Sequence, residues 1–103
     1  MNINEIDIQA SLIVILANII FLCVESKDYQ DAAYFIASAD KIKTRPDNFF
    51  YKMGILISKN IIEYHKNPQE SYLENSQSII KTIKLMGMDA YSHELEVYLQ
   101  SNI

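Results

Sequence analysis

Glycine, proline, cysteine and tryptophan are almost missing from this sequence. Two glycines and two prolines in 103 residues are too few for the turns of a β-sandwich or barrel. They are also far too few for a disordered linker. The single cysteine, Cys23, forms no internal disulfide, which excludes a small secreted scaffold held by disulfides. Positive charge is scarce as well. Nine Lys+Arg stand against thirteen Asp+Glu, a formal net charge of -4. A phosphate backbone is bound through basic patches, so this chain alone is a poor nucleic-acid binder.

Catalytic patterns are equally lacking. His65 and His93 lie far apart, without HxxxH or HExxH spacing, and Cys23 has no CxxC partner. The His93-Glu94 pair lacks ligand spacing. There is no glycine-rich phosphate loop and no GxSxG motif, and the carboxylates read as caps or solvated faces. The expectation is a protein that is not an enzyme and uses no metal or cofactor.

What remains is apolar and helical. Half of the residues are hydrophobic and 21% are charged, as in a soluble globular domain. The length suits one domain with one core. The most apolar run is Leu12 to Val24, thirteen residues interrupted by Asn18. A spanning helix needs about 20 predominantly apolar residues. A signal peptide would begin with Lys or Arg, whereas Glu5 and Asp7 precede this run and the first basic residue is Lys27. The run therefore reads as a packed helix in a cytoplasmic protein without a membrane role. Being apolar all round, it needs cover on several sides. A second copy, or a missing part of a longer protein, would supply some of it.

Five helices are expected. The first spans about residues 5–25. The second begins at an Asp28 cap with Asp31 in its first turn. Its stripe is Tyr29, Ala32, Ala33, Ile36, Ala39 and Ile42, with Lys41 and Lys43 in its last turn, and Thr44-Arg45-Pro46 stops it. The third starts near Asp47 or Asn48 and buries Phe49, Phe50, Met53, Leu56, Ile57, Ile61 and Tyr64, with Asn60 inside the stripe. Asn67-Pro68-Gln69-Glu70 then predicts a cap at Asn67, Pro68 at the first helical position and Glu70 reaching back. The fourth helix turns Tyr72, Leu73, Ser76, Ile79, Ile80, Ile83 and Met86 inward, and Gly87 closes it in the left-handed conformation. Asp89 caps the fifth, whose stripe is Tyr91, Leu95, Tyr98 and Leu99.

The turns after Val24 and after Glu63 align at an offset of 39 residues, matching Lys27 with Lys66, Asp28 with Asn67 and Asp31 with Glu70. That period belongs to solenoids of helix hairpins. A plain antiparallel bundle is the competing reading. Lys27-Asp28-Tyr29-x-x-Ala32, with Ala39 further on, resembles the turn and second helix of a tetratricopeptide unit. The expected fold is all-α, a right-handed α-α superhelix of such hairpins. One domain covers 1–103, with helix pairs 1–45 and 46–87 and a cap helix over 88–103.

The stretch from Ala32 to Leu99 resembles the C-terminal regulatory region of the Rgg/GadR/MutR transcriptional regulators. The resemblance rests on Phe49-Phe50-Tyr51 opening a helix and Ile61-Ile62-Glu63-Tyr64-His65-Lys66 ending it. The Asn67-Pro68 turn follows. Ile83-Lys84-Leu85-Met86-Gly87-Met88 then precedes a Tyr/Leu-rich last helix. It implies a tetratricopeptide-like array that dimerises and binds short secreted peptides, a quorum-sensing role. DNA would be bound through a helix-turn-helix domain that this sequence does not contain. The sequence reads as a fragment or C-terminal domain, or as a stand-alone relative.

Three features could carry binding. Asn18 and Asn60 interrupt apolar stripes on the first helix of each expected pair, where an amide can donate to and accept from a peptide backbone. Each could equally be a core amide bonded to a neighbouring helix, or one that fixes register in a dimer. The aromatics Phe49, Phe50, Tyr51, Tyr64, Tyr72, Tyr91 and Tyr98 could anchor an interface, Tyr51 being the one expected to be exposed. At helical spacing they could equally be core. Lys52, Lys59 and Lys66, seven apart, could attract a carboxylate or simply form a solvated face. The expected peptide-binding set is Asn18, Phe21, Met53, Ile57, Asn60 and Tyr64. The expected protein is a homodimeric peptide sensor whose ligand shifts the packing of the last helices. A stand-alone helical adaptor for a protein partner, with no signal ligand, is the alternative, and a small immunity-type bundle a third.

Overall fold

A computed structural model describes residues 3–103, with side chains at Ile8 and from Ser11 onward. The described residues form five helices and no strand. They are α1 (Ile3–Glu25), α2 (Tyr29–Asp40), α3 (Phe49–Lys66), α4 (Glu70–Leu85) and α5 (Asp89–Asn102). The fold is all-α, as the sequence predicts. The chain divides into two compact units, residues 1–55 and 56–103. The division falls inside α3.

In the first unit α1 packs against α2. Helix α1 turns Ile13, Leu16, Ala17, Ile20 and Val24 inward, a stripe with helical spacing. Ala32, Ile36 and Ala39 are the buried side of α2. The small Ala residues let two backbones approach closely. Ala33, placed by its spacing in that stripe, is exposed. Helix α2 also ends sooner than expected, at Asp40, so Lys41 is its C-cap and Lys43 lies beyond it. The cation at that helix end comes from elsewhere. Lys52 of α3, itself buried, donates from Nζ to the Ala39 carbonyl at 2.6 Å. A cation there satisfies a terminal carbonyl and suits the helix dipole. Asn48 shapes the connection to α3. Its buried amide accepts from the Arg45 N–H at 2.8 Å and donates to the Lys43 carbonyl at 3.1 Å.

In the second unit α4 packs against α5. Ile57, Ile61, Ile62, Ile80, Ile83, Leu95, Tyr98 and Leu99 are buried. Leu56 and Met86, expected inward, are exposed. Three buried serines, Ser58, Ser76 and Ser92, are bonded locally or across helices. Ser58 Oγ and the Tyr98 hydroxyl are 2.7 Å apart. Ser92 Oγ donates to the Ile80 carbonyl at 3.2 Å.

The Asn67-Pro68 turn differs from expectation. The N-cap of α4 is Gln69, in extended conformation and without a side-chain cap bond. Asn67 donates its N–H to the Glu63 carbonyl at 2.9 Å, so it prolongs the ladder of α3, and α4 opens too late for Asn67 to hold the cap position. Pro68, lacking an N–H, ends α3 rather than opening α4. Similarly, Met88 occupies the N-cap of α5 and Asp89 is its first residue.

The closest repetition of turn geometry is also unexpected. At the end of α4, Gly87 has φ +88. The Gly87 N–H reaches the Lys84 carbonyl and the Met88 N–H reaches the Ile83 carbonyl, which is a Schellman closure. At the end of α1, Lys27 has φ 60, its N–H reaches Val24 and the Asp28 N–H reaches Cys23. The next helices open alike, Ala32 bonding to Asp28 and Ser92 to Met88. Turn geometry therefore pairs Lys27 with Gly87, whereas the sequence alignment pairs Lys27 with Lys66.

Candidate interaction surface

Helix α1 has no charged residue from Ile8 to Val24. One side of it is buried, and the other is open. Ile8 is 66% exposed, Leu12 42%, Ile15 54% and Leu22 63%. Asn18 is exposed on the same side, between Ile15 and Leu22 at helical spacings of three and four. Ile8, Ser11, Leu12 and Ile15 line a shallow cavity of about 360 Å³. Single exposed apolar residues are ordinary, but a contiguous row on one helix marks an interaction surface. Chemically the row takes an apolar partner, and Asn18 offers one amide that both donates and accepts.

The six expected binding residues fall in different units. Asn18, Phe21 and Met53 belong to the first, and Ile57, Asn60 and Tyr64 to the second. Asn18 is exposed, whereas Phe21, Met53 and Tyr64 are half-buried. Ile57 is fully buried and reaches no ligand in this arrangement. Asn60 Nδ2 donates to Asn75 Oδ1 at 2.8 Å and to Ser76 Oγ at 3.0 Å. It ties α3 to α4, which is the core-amide alternative.

The other two features change as well. Tyr51 is half-buried rather than exposed, and the most open aromatic is Tyr34, 69% exposed. Phe49 and Phe50 meet edge-to-face, 5.5 Å between ring centroids. Of the lysine row only Lys52 is withdrawn, buried on Ala39, whereas Lys59 and Lys66 are exposed, Lys66 standing 3.9 Å from Glu63. His65, in the last turn of α3, lies 2.6 Å from the Asn102 carbonyl through Nε2. It thus meets the end of a second helix as well as its own.

Electrostatic perturbation gathers where α1 meets α2. A hydrogen bond with Asp28, and then the charge of Asp28, raise Asp31 above the usual carboxyl range. Burial, followed by the charges of Asp28 and Asp31, raises the Cys23 thiol. Such a thiol is a weak nucleophile. Among the described residues no group of three His, Cys, Asp or Glu could hold a metal ion. No helix of the described residues is long and apolar enough to cross a membrane.

A family model described as the HTH-type transcriptional regulator Rgg, C-terminal domain, matches residues 3–97. No curated protein and no solved structure matches the chain.

Proposed function

As the chain belongs to the Rgg C-terminal domain family and is thus a transcriptional-regulator domain, we propose that it is the regulator's ligand-sensing and dimerisation module. The observation that carries this reading is the open, uncharged side of α1. A short apolar signalling peptide covers Ile8, Leu12, Ile15 and Leu22, and Asn18 pairs with its backbone. A peptide backbone desolvated without such a partner would cost about 1–3 kcal/mol per group. Phe21 and Met53, in the same unit as α1, remain proposed contacts. Ile57 and Asn60 are not, because one is enclosed and the other has its amide donor occupied.

Spacing on α1 favours a second occupant too. Ile8, Ile15 and Leu22 recur every seven residues with Asn18 between them, the pattern of a helix pairing with its own copy. In a regulator that dimerises in the cytoplasm, a peptide and a second copy then compete for one surface.

Two measurements test this. Sedimentation of the purified chain at tens of micromolar reads self-association. Fluorescence anisotropy with a labelled eight-residue Leu/Ile-rich peptide reads capture. The expected result is a dimer that Ile15→Glu dissociates, and peptide binding that Leu22→Lys abolishes and Asn18→Ala weakens about tenfold. A strict monomer that also ignores the peptide would defeat the proposal.

A further inference from the structure

A second cleft lies wholly within the second unit, on the facing sides of α4 and α5. It measures about 470 Å³ and is lined by Gln77, Ile80, Lys84, Asp89, Ser92, His93 and Glu96. That size falls within the range of small-molecule sites. Its chemistry is opposite to that of α1, because charged groups dominate the rim.

The order of those groups follows from the hairpin. Gln77, Ile80 and Lys84 lie on one side of α4 at spacings of three and four. Asp89, Ser92, His93 and Glu96 do the same on α5. The helices join through the Gly87 turn, so Lys84 and Asp89 stand at the turn end. Gln77 and Glu96 stand at the other end, where Gln77 Nε2 donates to Glu96 Oε1 at 3.3 Å. Gln100 Nε2 donates to the same oxygen at 3.3 Å, which steadies the Glu96 carboxylate. Seven residues along each helix separate the two ends by about 10 Å. Ile80 forms the floor between them. Ser92 is a wall, its hydroxyl engaged by the Ile80 carbonyl.

Among the described residues no ion pair involves Lys84, Asp89 or Glu96, and Glu96 is held only by the two neutral amides. Arg45 pairs with Asp47 and Lys66 with Glu63, and neither pair touches the cleft. Along the cleft the sequence of charge is a cation beside an anion, a gap over an apolar floor, then a second anion. A complementary ligand has a carboxylate beside an ammonium, an apolar stem and a terminal cation. An extended arginine separates its carboxylate from its guanidinium by about 7–8 Å, and the side chains at each end bridge the remainder.

We propose that the α4–α5 cleft binds a cationic α-amino acid of arginine type. Lys84 pairs with its carboxylate, Asp89 with its ammonium and Glu96 with its guanidinium, while its methylenes lie on Ile80. A guanidinium presents a planar fork that suits a carboxylate held in place. Exposed pairs are individually weak, so the dissociation constant is on the order of 1 mM. This binding is independent of the α1 surface.

The test is an amide NMR titration of the full chain with L-arginine, agmatine and L-glutamate. Agmatine keeps the guanidinium but lacks the carboxylate. L-arginine should shift the amides of Ile80, Lys84, Ser92 and His93 saturably. Agmatine should bind at least about fivefold more weakly, and glutamate should produce no saturable shift. Lys84→Met should erase the difference between arginine and agmatine. Glu96→Gln should weaken arginine about tenfold, with Asp89→Asn as a second variant should Glu96→Gln disturb the fold. No saturable shift by about 20 mM arginine would overturn the proposal. So would agmatine binding as tightly as arginine, or glutamate binding saturably, in the unaltered chain.

Discussion

Asp28 stands at the N-cap position of α2 but makes no side-chain cap bond, contrary to the cap expected there. Its side chain is turned to Asp31 instead, and raises that carboxyl. A carboxyl raised in the folded state binds protons there more tightly than in the unfolded chain. Its contribution to stability is therefore greatest at low pH. It declines as pH rises from the ordinary value, 3.8, through the raised one, and is constant above. Asp28→Asn keeps the size of the side chain while removing the neighbouring charge. In that variant carboxyl NMR should place the Asp31 titration lower than in the parent, and Cys23 should react faster with a thiol reagent. An unchanged Asp31 titration would refute the assigned cause. Lys52 has the reverse sign for a base. Burial lowers its ammonium below the usual lysine value, against a smaller opposing pull from Asp40. Its stability term improves as pH rises through the lowered value toward 10.5. Among neutral contacts, Tyr98→Phe removes the bond to Ser58 and should cost about 1 kcal/mol in chemical denaturation.

At the scale of elements, the helix ends differ most in their backbone demands. Gly87 and Lys27 hold the same place in two similar turns, both with positive φ. Glycine adopts that conformation freely, whereas a lysine there costs about 1–2 kcal/mol. No atom lies within 4 Å of a Cβ added at Gly87. Gly87→Ala should therefore lose about 1 kcal/mol through backbone strain alone. Lys27→Gly should gain up to about 1 kcal/mol. Melting curves of the two variants should move in opposite directions, and movement in the same direction would show that something other than φ controls these turns. Much of this was visible beforehand. Gly87 was legible because one residue type dominates that position, and the apolar stripe of α5 was legible because it repeats locally. Asn67-Pro68 is ambiguous in the sequence, because a cap and a helix stop use the same residues. The outcome depends on where the next helix starts, which here is Glu70, with Gln69 at the cap position.

At the scale of the whole molecule, two surfaces of contrasting physics coexist on a chain of net charge -4. The α1 side is uncharged over its apolar run, and the α4–α5 cleft is lined by charge. Salt separates them. Raising sodium chloride from about 0.05 M to about 0.5 M shortens the Debye length from about 14 Å to about 4 Å. The proposed self-association through α1 should hardly change in sedimentation, while the proposed arginine binding in the cleft should weaken several-fold. A dimer that dissociates with salt would point to an interface other than α1.

Composition and local pattern alone settle the helical class, the scarcity of glycine and proline and the excess of apolar surface on the first helix. These depend on composition and on neighbours three or four positions apart, which a linear reading can see. It takes the folded chain to show that Lys52 holds the end of α2, that Asn60 bonds Asn75 and that Ser58 meets Tyr98. Those partners are 13, 15 and 40 residues apart. Separations of that kind leave no periodic trace, because they are fixed by where the chain closes on itself and by the need of every enclosed polar group for a partner.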